Sequence, residues 1–216
     1  MHGDDLGAMT LEAGPRGGLD ELDLELAALG QRRVDLARAE AAARELLAAL
    51  GEDTESERLR ETPRRVAEAF AELLTPAPFR ATSFANEGRY DELVLVRGIP
   101  FHSLCEHHLL PFQGQAHLAY LPGERIVGLS KLGRVVEVHA RRLQLQERLT
   151  TEIADWLERE LAPKGVGVLV EAEHLCMSIR GIQKPGTRTV TSALRGLVKD
   201  DARTRGEFLA LAGARQ

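Results

Sequence analysis

Two cysteines and a histidine pair are the residues of this chain best suited to bind a metal. Cys105 and His108 lie three residues apart in Cys105-Glu-His-His108, close enough in a turn to bind one zinc ion, and Cys176 offers a third ligand. Three protein ligands leave one position for water, as in catalytic zinc sites, whereas structural zinc sites usually have four. The spacing alone leaves two alternatives open, a buried structural cysteine and a surface histidine pair.

The residues around Cys176 favour a site over a core. The β-branched and apolar residues of 166–180 predict one uninterrupted strand, in which residues at a period of two face the same side. On one side this strand would carry a row of four side chains, His174, Cys176, Ser178 and Arg180. Such a row is costly to bury without ligands or partners, which favours a site. The alternative is a strand face open to solvent.

Basic residues at a predicted helix start indicate a phosphate site. Lys131 and Arg134 lie one helical turn apart after Gly128-Leu-Ser130. Helix N-termini with lysine or arginine attract phosphate groups. The alternative is a solvated helix face, which is what most charge runs are.

Glu147 is a lone carboxylate near the start of the next predicted helix. A carboxylate can accept hydrogen bonds from N1–H and the exocyclic amine of guanine, whereas adenine has an acceptor where guanine has a donor. The alternative is a first-turn acid that the helix dipole favours.

Hydrophobic periodicity and turn residues predict a helical first third followed by a mixed domain. We expect a mobile tail over 1–18 and helices over 19–50, which Gly30 can divide, and 62–73, capped by Thr62. Further strands are predicted over 92–97, 113–120, 166–180 and 187–197, and further helices over 131–142, 145–161 and, capped by Asp200, up to Leu211. This order predicts an α+β fold with helices on one face of an antiparallel sheet.

Composition excludes several classes of protein. With 216 residues, 44% of them apolar, and a net charge of −5, the chain can form a core but has no overall field for nucleic acid. It has no apolar run of membrane-spanning length, and its N-terminus lacks the pattern of a signal peptide, so we expect a cytoplasmic protein without nucleic-acid or membrane partners. Two cysteines are too few for a disulfide scaffold.

Taken together, these motifs closely resemble the GTP cyclohydrolase I family from Thr62 to Leu211. The matching stretches, in order, are Cys105-Glu-His-His108, Gly128-Leu-Ser-Lys131 with Arg134, Gln144-Leu-Gln-Glu-Arg-Leu-Thr150, and Glu171-Ala-Glu-His-Leu-Cys176 with Arg180-Gly181.

The resemblance implies an architecture. It implies the tunnelling fold, in which antiparallel four-stranded sheets, each with two helices on one face, join around a channel, and a homodecamer of two facing pentamers with active sites between subunits. The chain would then divide into a flexible tail over 1–18, a helical N-terminal region over 19–90 and the catalytic tunnelling-fold domain over 91–216.

The resemblance also implies a reaction. The GTP imidazole ring is opened by hydrolysis, formate is released, and rearrangement gives 7,8-dihydroneopterin triphosphate, the first step of tetrahydrofolate and pterin biosynthesis. One zinc ion per subunit would be held by Cys105, His108 and Cys176. His107 and His174 would transfer protons. Glu147 would select guanine, and Gln146 would also bind the substrate. The remaining substrate contacts would be Lys131, Arg134 and Arg180 for the triphosphate, and Ser130 for ribose or phosphate.

Two other readings stay open. The first is a tunnelling-fold enzyme acting on pterins or deazaguanines with a nucleophilic cysteine, although a nucleophilic thiol should not be bound to metal. The second is a nucleotide-binding or regulatory assembly with a closed structural zinc, in which His107 and His174 would be incidental.

Overall fold

The structure is a computed structural model that describes residues 33–79 and 81–213. The predicted tail over 1–18, and the part of the predicted first helix that precedes residue 33, lie outside the described residues. Helix α1 covers Leu36–Ala49 and is capped by Asp35, whose carboxylate accepts a hydrogen bond from the Arg38 N–H at 2.9 Å.

The second predicted helix is confirmed as α2, Thr62–Leu74, with a proline in its first turn. The predicted cap is wrong, because Glu61 occupies the N-cap position and Thr62 already belongs to the helix.

The chain forms seven strands among the described residues. The strands are β1 Ser83–Ala85, β2 Val94–Cys105, β3 Pro111–Leu121, β4 Arg125–Val127, β5 Leu143–Gln144, β6 Gly165–His174 and β7 Thr189–Arg195. The main sheet has five strands in the order β5-β2-β3-β6-β7, four of them antiparallel neighbours, and β5 is a two-residue strand parallel to the end of β2. The short strands β1 and β4 pair separately.

Two long helices cover one face of this sheet. Helix α3 is Leu129–Ala140 and α4 is Gln146–Leu161. Their apolar stripes pack on alternate residues of the central strands and form the main core, which includes Leu132, Val136, Leu149, Ile153 and Trp156 from the helices, and Phe112, Leu118, Val168 and Val170 from the strands. The predicted α+β arrangement, a four-stranded antiparallel sheet with two helices on one face, is confirmed.

The opposite face of the sheet is covered only in part by the C-terminal helices. These are α6, Gly196–Asp200, and α7, Ala202–Leu211. The Phe208 ring of α7 lies over Gly167, where a Cβ atom would come within 3.0 Å of the ring. Asp201 rather than Asp200 caps α7, because its carboxylate accepts the Thr204 N–H at 2.7 Å.

The predicted uninterrupted strand over 166–180 is wrong. Strand β6 ends at His174, and a short helix, α5, follows over Leu175–Ser178. Pairing with β7 ends at Ala172, and pairing with β3 ends at His174. Beyond His174 the backbone therefore has no strand partner, and it forms helical hydrogen bonds such as Ile179 N–H to Leu175 C=O at 3.1 Å. Cys176, Ser178 and Arg180 do not share a strand face with His174.

Among residues 33–79 and 81–213, we find no helix with both the length and the apolar character needed to cross a membrane.

Candidate metal centre and active site

A tight turn at the end of β2 brings His108 back to Cys105. The Cys105 C=O accepts hydrogen bonds from the His108 N–H at 3.3 Å and the Leu109 N–H at 2.9 Å, and the Cys105 N–H donates to the Leu110 C=O at 2.9 Å. Leu109 adopts a left-handed backbone with φ of 55°, which closes the turn. This turn brings two residues that are three positions apart in sequence close together in space.

Helix α5 brings Cys176 to the same place. The ligand atoms of Cys105, His108 and Cys176 all lie within 4.8 Å of one another, and the Cys105 Sγ to His108 Nδ1 distance is 3.7 Å. Ligand atoms of one tetrahedral zinc ion lie roughly 3.3–3.8 Å apart, given Zn–N and Zn–S bonds of about 2.0–2.3 Å. Both cysteines are free thiols. The donor set therefore suits a zinc ion with three protein ligands, and Cys105 and His108 already lie at the distance that one ion requires.

The crowding of these groups affects the pKa of the Cys176 thiol. Burial raises its pKa, and the adjacent Cys105 adds to the rise, while the positive charge of Arg180 opposes it. A zinc ion binds thiolates, so metal binding at this group releases protons.

His174 is fixed by an aromatic ring and an amide. Its ring stacks on Phe112, with centroids 4.6 Å apart and planes 2° apart, since these two residues are direct cross-strand partners. The His174 Nε2 lies 2.8 Å from the Gln146 Oε1. Burial lowers the pKa of His174, and the charge of Glu147 opposes this. The predicted proton-transfer residue is therefore a half-buried, oriented imidazole.

Gln146, predicted as a substrate contact, has its amide group engaged within the protein. Its Nε2 donates to the backbone C=O groups of Val170 at 3.1 Å and Thr189 at 2.9 Å, and the side chain is buried. Two carbonyl partners fix the amide nitrogen on that side, so Oε1 faces His174 and accepts its Nε2–H. Gln146 thus sets the tautomer of His174, while direct contact with substrate stays a prediction.

His107 and Glu147 are both exposed. The His107 ring is perpendicular to the His108 ring, with centroids 6.1 Å apart. Glu147 lies in the first turn of α4, beside Gln146. Their predicted roles in proton transfer and guanine recognition stay predictions.

The predicted phosphate-binding residues occupy two separate segments. Arg180 is exposed in the loop after α5. Ser130, Lys131 and Arg134 lie at the start of α3, where the Lys131 Nζ is 6.0 Å from the centre of the Phe79 ring and Arg134 pairs with Glu137 at 3.2 Å. Among the described residues, no hydrogen bond or ion pair joins this α3 group to Cys105, His108 or Cys176 in the one chain.

An ion pair that the sequence analysis missed joins the turn between Cys105 and His108 to α4. Arg148 donates to the Glu106 carboxylate and, at 2.7 Å, to the Gln144 Oε1. The Glu106 N–H donates to the Gln144 C=O at 3.1 Å. The helix start that carries Glu147 is therefore tied to the turn that carries His108.

Comparisons with a family profile and with individual proteins agree on one family. The sequence profile described as GTP cyclohydrolase I matches residues 39–213. A GTP cyclohydrolase 1 of Aquifex aeolicus is 55% identical over 178 residues, which cover 82% of this chain and 97% of the relative. A GTP cyclohydrolase 1 of Mycolicibacterium vanbaalenii is 54% identical over 184 residues, covering 83% and 91%. The chain therefore belongs to the GTP cyclohydrolase I family.

Proposed function

We propose that this chain is a zinc-dependent hydrolase that opens the imidazole ring of GTP, releases C8 as formate and forms 7,8-dihydroneopterin triphosphate. The observation that carries the proposal is the group of Cys105, His108 and Cys176 within 4.8 Å, in a chain that belongs to this family.

Cys105, His108 and Cys176 would hold the zinc ion. When bound with three protein ligands, zinc polarises substrate oxygen atoms and lowers the pKa of water toward about 7. The exposed edge of His108 and the partly exposed Cys176 leave the group open to a substrate. A fourth protein ligand would close the group, and the described residues provide none within the cluster.

His174 and His107 would move protons during ring opening and rearrangement. Gln146 accepts the hydrogen bond from His174 Nε2, which leaves Nδ1 as the ring atom able to accept a proton. The stacked Phe112 ring prevents the imidazole from rotating out of this arrangement. His107 is exposed and directly precedes His108, one of the residues that would hold the zinc ion.

Guanine recognition would fall to Glu147. Its exposed carboxylate can accept N1–H and the exocyclic amine together, which adenine cannot satisfy. Gln146, directly before it, would support this contact.

The triphosphate does not react but orients the purine, and it would be bound by Lys131, Arg134 and Arg180. Ser130 would hydrogen-bond the ribose or a phosphate.

The proposed assembly is a homodecamer of two pentamers with active sites between subunits. In such an assembly the exposed Arg134, whose described ion pair is with Glu137 of its own helix, would be available to a substrate held by a neighbouring subunit. We also propose a cytoplasmic location, with GTP rather than nucleic acid as the partner. The division into a helical region over 19–90 and a catalytic domain over 91–216 stays a prediction.

The test is product analysis. Purified protein is incubated with GTP and, as the matched control, with ATP, and products are identified by mass spectrometry. We expect formate and 7,8-dihydroneopterin triphosphate from GTP and unchanged ATP. Intact GTP in the presence of protein carrying one zinc per chain would overturn the proposal and favour a nucleotide-binding assembly.

A further inference from the structure

The loop between α5 and β7 carries a dense positive charge and little structure of its own. Residues 179–188 are all exposed, and they include Arg180, Lys184 and Arg188. Its internal backbone hydrogen bonds are long, with Gln183 N–H to Arg180 C=O at 3.2 Å and Thr187 N–H to Lys184 C=O at 3.4 Å, and one backbone hydrogen bond, from the Lys184 N–H to the Met177 C=O at 2.9 Å, joins it to α5. Three like charges repel one another, so the loop needs an anchor outside itself.

The Glu173 carboxylate provides a second anchor, and this one reaches both arms of the loop. Its Oε1 accepts the Ser178 hydroxyl at 2.7 Å and the Gly186 N–H at 2.9 Å. Ser178 ends α5, and Gly186 lies near the far end of the loop, so one carboxylate oxygen bridges both arms. These two hydrogen bonds also lower the pKa of Glu173, which keeps the group ionised and strengthens them.

We infer that Glu173 is a positioning residue: it orders loop 179–188 and thereby holds Arg180 where the triphosphate of the substrate binds. The inference deepens the proposed function and rests on it for the identity of the substrate.

Removing the Glu173 carboxylate should affect the loop and the metal group differently, because Ser178 and Gly186 depend on this carboxylate to different degrees. The Ser178 hydroxyl has a second acceptor, the His174 C=O at 3.2 Å, so α5 and Cys176 keep an anchor when the carboxylate is removed. The Gly186 N–H loses the acceptor that holds it. Removing the carboxylate should therefore loosen the loop more than the zinc ligands.

The same strand offers a matched control. Glu171 lies two residues before Glu173 on the same open face of the sheet, and its carboxylate is 3.9 Å from Arg188, with both side chains about half exposed. Such exposed pairs contribute little. Glu171→Ala removes the same charge from the same face without removing a hydrogen bond to the loop backbone.

The test compares Glu173→Ala, Glu173→Gln and Glu171→Ala in the full chain loaded with zinc. For Glu173→Ala we expect a rise of about tenfold in KM for GTP, with kcat changed by less than about twofold and zinc content unchanged. Glu173→Gln keeps an amide oxygen that can accept both hydrogen bonds, so its KM should fall between the parent and Glu173→Ala. Glu171→Ala should keep the parent KM.

Hydrogen–deuterium exchange of 179–188 gives a readout independent of turnover. We expect faster exchange of this segment in Glu173→Ala and parent exchange in Glu171→Ala. Parent KM and parent exchange in Glu173→Ala, or loss of zinc from it, would overturn the positioning role. If the parent itself leaves GTP intact, the proposed function fails, while the exchange result still decides whether Glu173 anchors the loop.

Discussion

The buried His139 should make the protein less stable in mild acid, because the unfolded chain binds a proton at this residue at a higher pH than the folded chain does. His139 lies in the last turn of α3, is only 3% exposed, and its Nδ1–H donates to the Val135 C=O at 2.8 Å. Burial is the main reason that its pKa falls from 6.5 to about 4, and the positive charges of Arg142 and Arg159 add to the fall.

The magnitude follows from the two pKa values. Because the folded pKa is lower than the unfolded value, the stability that neutral His139 provides is complete above pH 6.5 and is lost as the pH falls toward 4. At pH 5 the unfolded chain is mostly protonated at this residue and the folded chain is not. The expected loss between pH 7 and pH 5 is about 2 kcal/mol of unfolding free energy.

The assay is urea denaturation of the parent and His139→Asn at pH 7 and pH 5, in zinc-free buffer at one protein concentration. The asparagine amide can still donate to the Val135 C=O but does not titrate. The contributions of the other titrating groups therefore cancel when the loss of unfolding free energy is compared between the parent and the variant. We expect the parent to lose about 2 kcal/mol more than the variant. Equal losses in the two proteins would refute the account of His139.

Three further predictions concern the site. Cys176→Ser should lose zinc and GTP turnover together, and an active zinc-free variant, measured by metal analysis and formate release, would refute the ligand assignment. Glu147→Gln should raise the KM for GTP about tenfold or more without changing the melting temperature, because the replacement is nearly isosteric; parent affinity would contradict guanine recognition by Glu147. His107→Ala should retain zinc while kcat falls roughly 10²- to 10⁴-fold, and zinc loss instead would mean that His107 and His108 have exchanged roles.

The elements that position the site were largely predictable from the sequence. Apolar periodicity predicted both helices over the sheet, and polar–apolar alternation predicted β3, because these patterns reflect which face of an element is buried. The grouping of Cys105, His108 and Cys176 was predictable as well, since residue type and the Cys105–His108 spacing suit a metal ion.

The features that the sequence did not predict depend on contacts between residues far apart in the chain. The residues after His174 looked like strand because their composition suits one, yet the neighbouring strands stop there and α5 forms instead. The stacking of Phe112 on His174 depends on strand register, which a single sequence leaves open. Likewise, the contact between Glu106 and Arg148 joins residues 42 positions apart, and local patterns give no information at that distance.

Metal-dependent product formation tests the central claim most directly. The purified protein is freed of metal with a chelator, incubated with GTP before and after zinc is added back, and formate and pterin products are quantified. We predict that formate and 7,8-dihydroneopterin triphosphate form in equal amounts, disappear with the chelator and return with zinc. Continued release of formate from GTP by the metal-free protein would contradict a zinc-dependent hydrolase built on Cys105, His108 and Cys176.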